Sequence, residues 1–173
     1  MFLDRDGTLN VRPSEHEYLT SERDFAWLPH AAEGVAHLAR QSFVLTVVSN
    51  QRGVARGLVT QSVLREIEQR IQRDLAAYDC AIDAFRYCFH NREDACPCRK
   101  PNPGMIIDLA RELDLDLSRS WVIGDSENDV RAGVAAGCRT AFVGHPGQSV
   151  GADVLASSLL EASDLISRQI AVR

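Results

Sequence analysis

Five short apolar runs, at residues 2–3, 43–48, 84–89, 121–123 and 140–143, alternate with stretches of helical periodicity. No other feature constrains the fold as strongly. Several of the runs are short and do not alternate apolar with polar, as expected for strands covered on both faces. Between them, Ala31–Arg40 sets Val35, Leu38 and Ala39 on one side. Val63, Leu64, Ile67, Ile71 and Leu75 recur at helical spacing behind Thr60, a ready cap. Asn102 and Pro103 read as cap and first residue of a helix over 105–113. A further helix over 130–136 is closed by Gly137, and 159–169 reads as a terminal helix. Strands alternating with helices need right-handed crossovers, which predicts an α/β fold with a doubly wound, Rossmann-like parallel sheet. Ligands of such sheets bind beyond the carboxyl ends of the strands, where strand order reverses. The loop at 144–151 is too short to divide domains, so residues 1–173 read as one domain.

Each polar motif follows one of these runs. After 2–3 comes Asp4-Arg5-Asp6-Gly7-Thr8. The glycine turns the chain just past the strand end, presenting Asp4 at a mouth with Asp6 one step away. One carboxylate can attack while the other handles a proton. A lone acid pair also reads as an acidic surface turn; the full D-x-D-G-T behind an apolar run is far more specific. After 43–48 comes Ser49-Asn50-Gln51-Arg52-Gly53. A hydroxyl followed by a turn with free N–H groups suits a phosphate oxygen, although the segment alone reads first as a simple turn.

Ahead of the 105–113 helix stands Arg99-Lys100-Pro101. Lys100 is the sole lysine among 19 basic residues. Its ammonium can sit over a phosphate and balance crowded carboxylates, where an ordinary lysine would be exposed. After 121–123 comes Gly124-Asp125-Ser126-Glu127-Asn128-Asp129. Asp125 is placed to bind a divalent cation, with Asp129 behind it to orient water or pair with Lys100. Magnesium favours a few carboxylates, waters and substrate phosphate over a full protein cage. Taken alone, these are two acids stabilised by a helix N-terminus.

A net charge of −5 without a basic stripe argues against a nucleic-acid partner. No apolar run approaches the ~20 residues that cross a bilayer, and Asp4, Arg5 and Asp6 interrupt any signal peptide. A cytoplasmic monomer without a membrane partner is expected. Only three residues precede Asp4, so either the first strand is short or the natural start lies further upstream. The five cysteines are odd in number and clustered, unlike a secreted disulfide framework. Cys88-x-His90-x5-Cys96-x-Cys98 offers three thiolates and one imidazole, which fits a closed, structural tetrahedral zinc site. Such a zinc-binding loop at 88–98 would clamp an irregular segment just before Arg99 and Lys100. The plain alternative is free cysteines beside a histidine.

The opening octet resembles motif I of the haloacid dehalogenase superfamily, mostly phosphohydrolases working through an aspartyl-phosphate. The serine, lysine and late acidic segments resemble its remaining motifs, in order. With the cysteine loop, the chain is similar to the D-glycero-D-manno-heptose 1,7-bisphosphate 7-phosphatase and histidinol-phosphatase subfamily over about residues 2–143. Asn10 and the run N-Q-R-G-V-A-R-G at 50–57 look more like the heptose branch. The five-residue spacer of the cysteine loop and Ser126 depart from the pattern of some heptose members, which leaves the sugar and its anomer open.

That resemblance implies that Asp4 attacks phosphorus and that Asp6 protonates the leaving sugar oxygen, then activates water. It implies Mg²⁺ held by the Asp4 carboxylate, the Asp6 main-chain carbonyl and Asp125. Ser49 and Lys100 would steady the phosphoryl group and Asn50 would help position it. Gln51, Arg52, Arg99 and the loop Arg12, Pro13, Ser14 and Glu15 are candidates for the rest of a small sugar phosphate. About 40 residues separate the first two motifs, and only the metal loop precedes Lys100. Neither place holds an independent cap domain, so a capless, open site is expected. Histidinol-phosphate hydrolysis, a nucleic-acid 3′-phosphatase and a zinc-stapled binding module without catalysis are the competing readings.

Overall fold

The computed structural model describes residues 1–14, 17–145 and 151–171. Six parallel strands form one sheet: β1 (Phe2–Leu3), β2 (Thr46–Asn50), β3 (Ala84–Cys88), β4 (Trp121–Gly124), β5 (Arg139–Val143) and β6 (Val154–Ala156). Their spatial order is β3-β2-β1-β4-β5-β6. The helices are α1 (Ala31–Arg40), α2 (Gln61–Ala76), α3 (Gly104–Glu112), α4 (Glu127–Ala135) and α5 (Leu159–Ala171). Among the described residues, no helix is long and apolar enough to cross a membrane.

Strand order reverses between β1 and β4, with Phe2 in register with Thr46 on one side and Val122 on the other. Successive strand residues face opposite ways, and the core divides accordingly. Leu3, Val47 and Ile123 pack with α1, α2 and α5, whereas Phe2, Val48 and Val122 pack with α3 and α4. Two apolar layers therefore clamp the central strands, and the loops after β1 and β4 open side by side at the crevice where such sheets bind ligands.

Several boundaries differ from the sequence expectation. The second strand starts at Thr46 and runs through Asn50, because pairing begins where β1 supplies a partner. Just before it, the Leu45 amide donates to the Asp83 carboxylate at 2.7 Å instead of to a strand. Ser49 and Asn50 thus lie in β2, not in a following turn. Pro103 occupies the cap position of α3, one residue later than expected, and the Asn102 amide donates to the Cys96 carbonyl at 2.8 Å. The fourth helix starts at Glu127 because Ser126 and Asp129 form a reciprocal capping box. The sixth strand has only three residues, with exposed Leu155 between buried Val154 and Ala156, too short a pattern to read from sequence. The expected 144–151 loop lies largely outside the described residues.

Candidate active site

The first motif leaves β1 at Asp4, whose amide donates to the Ile123 carbonyl at 2.9 Å. That bond carries the sheet ladder one residue further and aims the Asp4 carboxylate over the strand ends. Lys100 reaches the same point from the segment ahead of α3. Its ammonium lies 2.7 Å from Asp4 Oδ1, 2.5 Å from Asp129 Oδ1 and 2.7 Å from the Val48 carbonyl. All three side chains are buried. The two carboxylates hold the ammonium protonated well above the usual lysine range, although burial alone works against its charge. Asp129 is fixed from its other side by the Ser126 hydroxyl at 2.5 Å and the Ser126 amide at 3.1 Å. Gly124 makes room for this, since a Cβ there would lie 2.3 Å from the Asp129 side chain.

Asp4, Asp125 and Asp129 each offer an oxygen, all within 4.8 Å of one another. Burial pushes Asp4 up to about 7, with Lys100 pulling down and the two neighbouring carboxylates adding to the rise. Burial likewise pushes Asp125 up to about 6, against the pull of Arg12. The cluster carries more negative charge than one ammonium balances, the condition a divalent cation relieves. Gly7 permits the close approach: its φ is +98°, and a Cβ there would lie 1.9 Å from Asp125 Oδ2. Arg12 brings a second cation to the same cluster. Its guanidinium donates to Asp125 Oδ1 at 2.6 Å and to the Asp6 carbonyl at 3.2 Å, two of the three groups expected to hold magnesium. The donor set therefore fits the ion.

Asp6 is clamped by four hydrogen bonds. Arg5 Nε and Nη2 donate at 3.0 Å each, Asn10 Nδ2 at 3.0 Å and Gln51 Nε2 at 2.7 Å. Burial alone would raise its pKa, but Arg5, Asn10 and Gln51 together hold it below the ordinary carboxylate value.

The cysteine loop closes on itself. Sulfur–sulfur distances among Cys88, Cys96 and Cys98 are 3.3–3.5 Å, and His90 Nδ1 lies 3.3 Å from Cys98 and 3.6 Å from Cys88. Four ligands about 2.3 Å from a common centre would stand roughly 3.5–3.8 Å apart. Burial and thiol crowding push Cys98 up to about 12, so the three sulfurs resist ionising together without a cation. The Arg99 guanidinium donates to the His90 carbonyl at 3.0 Å, tying this loop to the segment that carries Lys100.

A cleft of about 240 Å³ lies over Asp4, Asp6, Ser49 and Lys100. Arg12 and Pro13 line it; Ser14 and Arg52 do not, and Glu15 lies outside the described residues. Arg99 lines a neighbouring hollow with Arg92. Asn50 and Gln51 also line the cleft. The Asn50 amide is held by the main chain of Lys100, donating to its carbonyl at 3.0 Å and accepting from its amide at 3.1 Å. Buried Gln51 donates to both Asp6 and Ser49. Sequence reasoning missed Glu17, Tyr18 and Asn128 as lining residues and Arg5 as the partner of Asp6. The signal for Arg5 was a cation set between two carboxylates directly behind a buried strand.

Fold and site together define a class: a doubly wound α/β enzyme that gathers a buried carboxylate, a lysine and a place for a divalent cation at the strand ends, the apparatus of phosphoester hydrolysis. The HAD-hydrolase-like family matches residues 97–163. D-glycero-beta-D-manno-heptose-1,7-bisphosphate 7-phosphatase of Rhodopseudomonas palustris is 39% identical over 143 residues, 79% of this chain and 78% of that protein. The corresponding alpha-anomer phosphatase of Mycobacterium tuberculosis is 36% identical over 167 residues, 93% of this chain and 87% of that protein. The crystal structure of D,D-heptose 1,7-bisphosphate phosphatase from B. bronchiseptica, complexed with magnesium and phosphate, superposes with a TM-score of 0.86 at 30% identity, covering 98% of each chain. The chain belongs to the HAD-like phosphatases, in the family of the D-glycero-D-manno-heptose-1,7-bisphosphate 7-phosphatases.

Proposed function

We propose that this chain removes the 7-phosphate of D-glycero-D-manno-heptose 1,7-bisphosphate through an aspartyl-phosphate, with magnesium as cofactor. The observation that carries the reading is the single ammonium bridging Asp4 and Asp129 beside Asp125. Asp4 Oδ attacks phosphorus as the bond to the sugar oxygen breaks. The bound phosphoryl group brings negative charge against Asp6 and raises its proton affinity. Asp6 in its acid form gives the leaving oxygen a proton. It then takes a proton from water as that water attacks phosphorus and frees Asp4. Lys100 and Ser49 steady the phosphoryl oxygens. The Asp4 carboxylate, the Asp6 carbonyl and Asp125 would hold Mg²⁺, which supplies charge neutralisation for the transferring group when bound. Asp129 fixes the Lys100 ammonium.

Arg99 and Arg92, beside the cleft, suit the second phosphate of a bisphosphate. The four-ligand loop at 88–98 serves as a structural zinc clamp. Among the described residues, the stretches after β1 and β3 hold only loops, one short helical turn at Glu22–Asp24 and the cysteine cluster before the next long element, which supports a capless single domain with an open site. An acidic chain acting as a cytoplasmic monomer on a small metabolite, not on nucleic acid, completes the reading.

Phosphate release should be measured on the defined alpha and beta anomers and on histidinol phosphate. The reading expects magnesium-dependent turnover of a heptose anomer and its loss in Asp4→Asn. Faster turnover of histidinol phosphate would replace the substrate, and an active Asp4→Asn would replace the mechanism.

A further inference from the structure

Arg5 lies between the two reacting carboxylates and is 1% exposed. Its guanidinium meets Asp6 through two parallel bonds at 3.0 Å, one to each carboxylate oxygen. The Arg5 main chain also anchors the turn, its carbonyl accepting from the amides of Thr8, Leu9 and Asn10 at 3.3, 2.9 and 3.1 Å. From the end of β1 the side chain extends toward β3, where its Cζ lies 6.0 Å from the ring centroid of Tyr87. On β3, Tyr87 is in register with Ser49 of β2.

This arrangement is costly for a purely structural contact. Arg5 Nη1 and the Tyr87 hydroxyl beside the guanidinium are both buried without a hydrogen bond of normal geometry among the described residues, and imperfectly paired buried polar groups are destabilising. An apolar side chain would fill the same space more cheaply. What the guanidinium supplies, and an apolar group cannot, is a planar fork that fixes both the position and the plane of a carboxylate. An open site lacks a closing domain to swing its acid into place, so the acid must be held in position before substrate arrives.

We propose that Arg5 is a positioning residue, bracing Asp6 in the orientation that delivers a proton to the bridging ester oxygen. The proposal rests on the reading of Asp6 given above. Proton delivery is steeply geometric, and a misplacement of about 1 Å costs on the order of 10²-fold. Its loss falls on substrates whose leaving oxygen needs the proton. A sugar alkoxide needs it, whereas a nitrophenolate leaves without it.

The experiment compares kcat/KM for heptose bisphosphate and for p-nitrophenyl phosphate in wild type, Arg5→Met, Asp6→Asn and the double variant. This parameter covers the steps up to departure of the leaving group and omits hydrolysis of the aspartyl-phosphate. Arg5→Met should lose about 30- to 300-fold on the sugar ester and less than about fivefold on the aryl ester, with magnesium affinity and melting temperature near wild type. In the Asp6→Asn background it should cost nothing further. If Arg5→Met does not fold, Arg5→Lys, which keeps a cation without the fork, decides by the same ratio. Equal losses on the two esters, or a further loss in the Asp6→Asn background, overturn the brace alone. An Asp6→Asn variant without leaving-group discrimination overturns the acid role of Asp6, and the brace with it.

Discussion

Replacing Asp125 with asparagine should stabilise the metal-free protein while disabling it. Asp125 is pushed by burial from an ordinary 3.8 to about 6. Between those values the folded state holds a proton that the unfolded state has lost, so stability falls as pH rises through this window. Above about pH 6 the full cost is present. At about 1.4 kcal/mol per pH unit the penalty is roughly 3 kcal/mol. The pull of half-exposed Arg12 is already contained in that value. Discounted for the partial exposure of Asp125, the gain is about 1–2 kcal/mol, or roughly 3–6 °C in Tm for a chain of this size. Thermal unfolding in chelator at about pH 8 should show the variant above wild type, and the gap should shrink by about two-thirds near pH 4.5. Added magnesium should reverse the order, raising wild type far more than the variant. A metal-free variant less stable than wild type at pH 8, or a gap that ignores pH, would refute the claim that buried negative charge is held in readiness for a cation.

Three further outcomes follow from the same geometry. Arg12→Gln should tighten magnesium binding by up to about fivefold in calorimetry, since a half-exposed guanidinium worth at most about 1 kcal/mol now sits on Asp125 and the Asp6 carbonyl; weaker binding would show that Arg12 helps to hold the ion. Gly7→Ala should lower stability by about 2–4 kcal/mol in denaturant unfolding and impair magnesium binding, because the +98° φ and the 1.9 Å approach to Asp125 leave no room for a Cβ; unaltered stability and affinity would contradict this. Purified protein should carry one zinc per chain by elemental analysis, and Cys96→Ser should lose it and lower Tm by several degrees; loss of zinc without a change in melting would contradict a structural clamp.

The sequence by itself determined the alternation of strands and helices, the order of the polar motifs along them and the chemical kind of each group. These are local properties: apolar periodicity declares an element, a glycine or proline its end, and a carboxylate, lone lysine or cysteine cluster its chemistry. Asp4, Lys100, Asp125 and the cluster of Cys88, His90, Cys96 and Cys98 were legible on that basis. Tertiary structure alone decided what each polar side chain faces. Asn50 and Gln51 read as part of a polar turn, but Asn50 is the last residue of a paired strand and Gln51 follows it at the cleft. From there Asn50 bonds to the Lys100 main chain and Gln51 to Asp6. The pairing of Arg5 with Asp6 and the docking of Arg12 on the cation place depend on side-chain direction, which spacing in the chain does not encode. The sixth strand exists because β5 offers it an edge, and three residues without that partner have no reason to be extended. A hydrogen bond has two ends, and sequence names the donor and the acceptor without saying which of them meet.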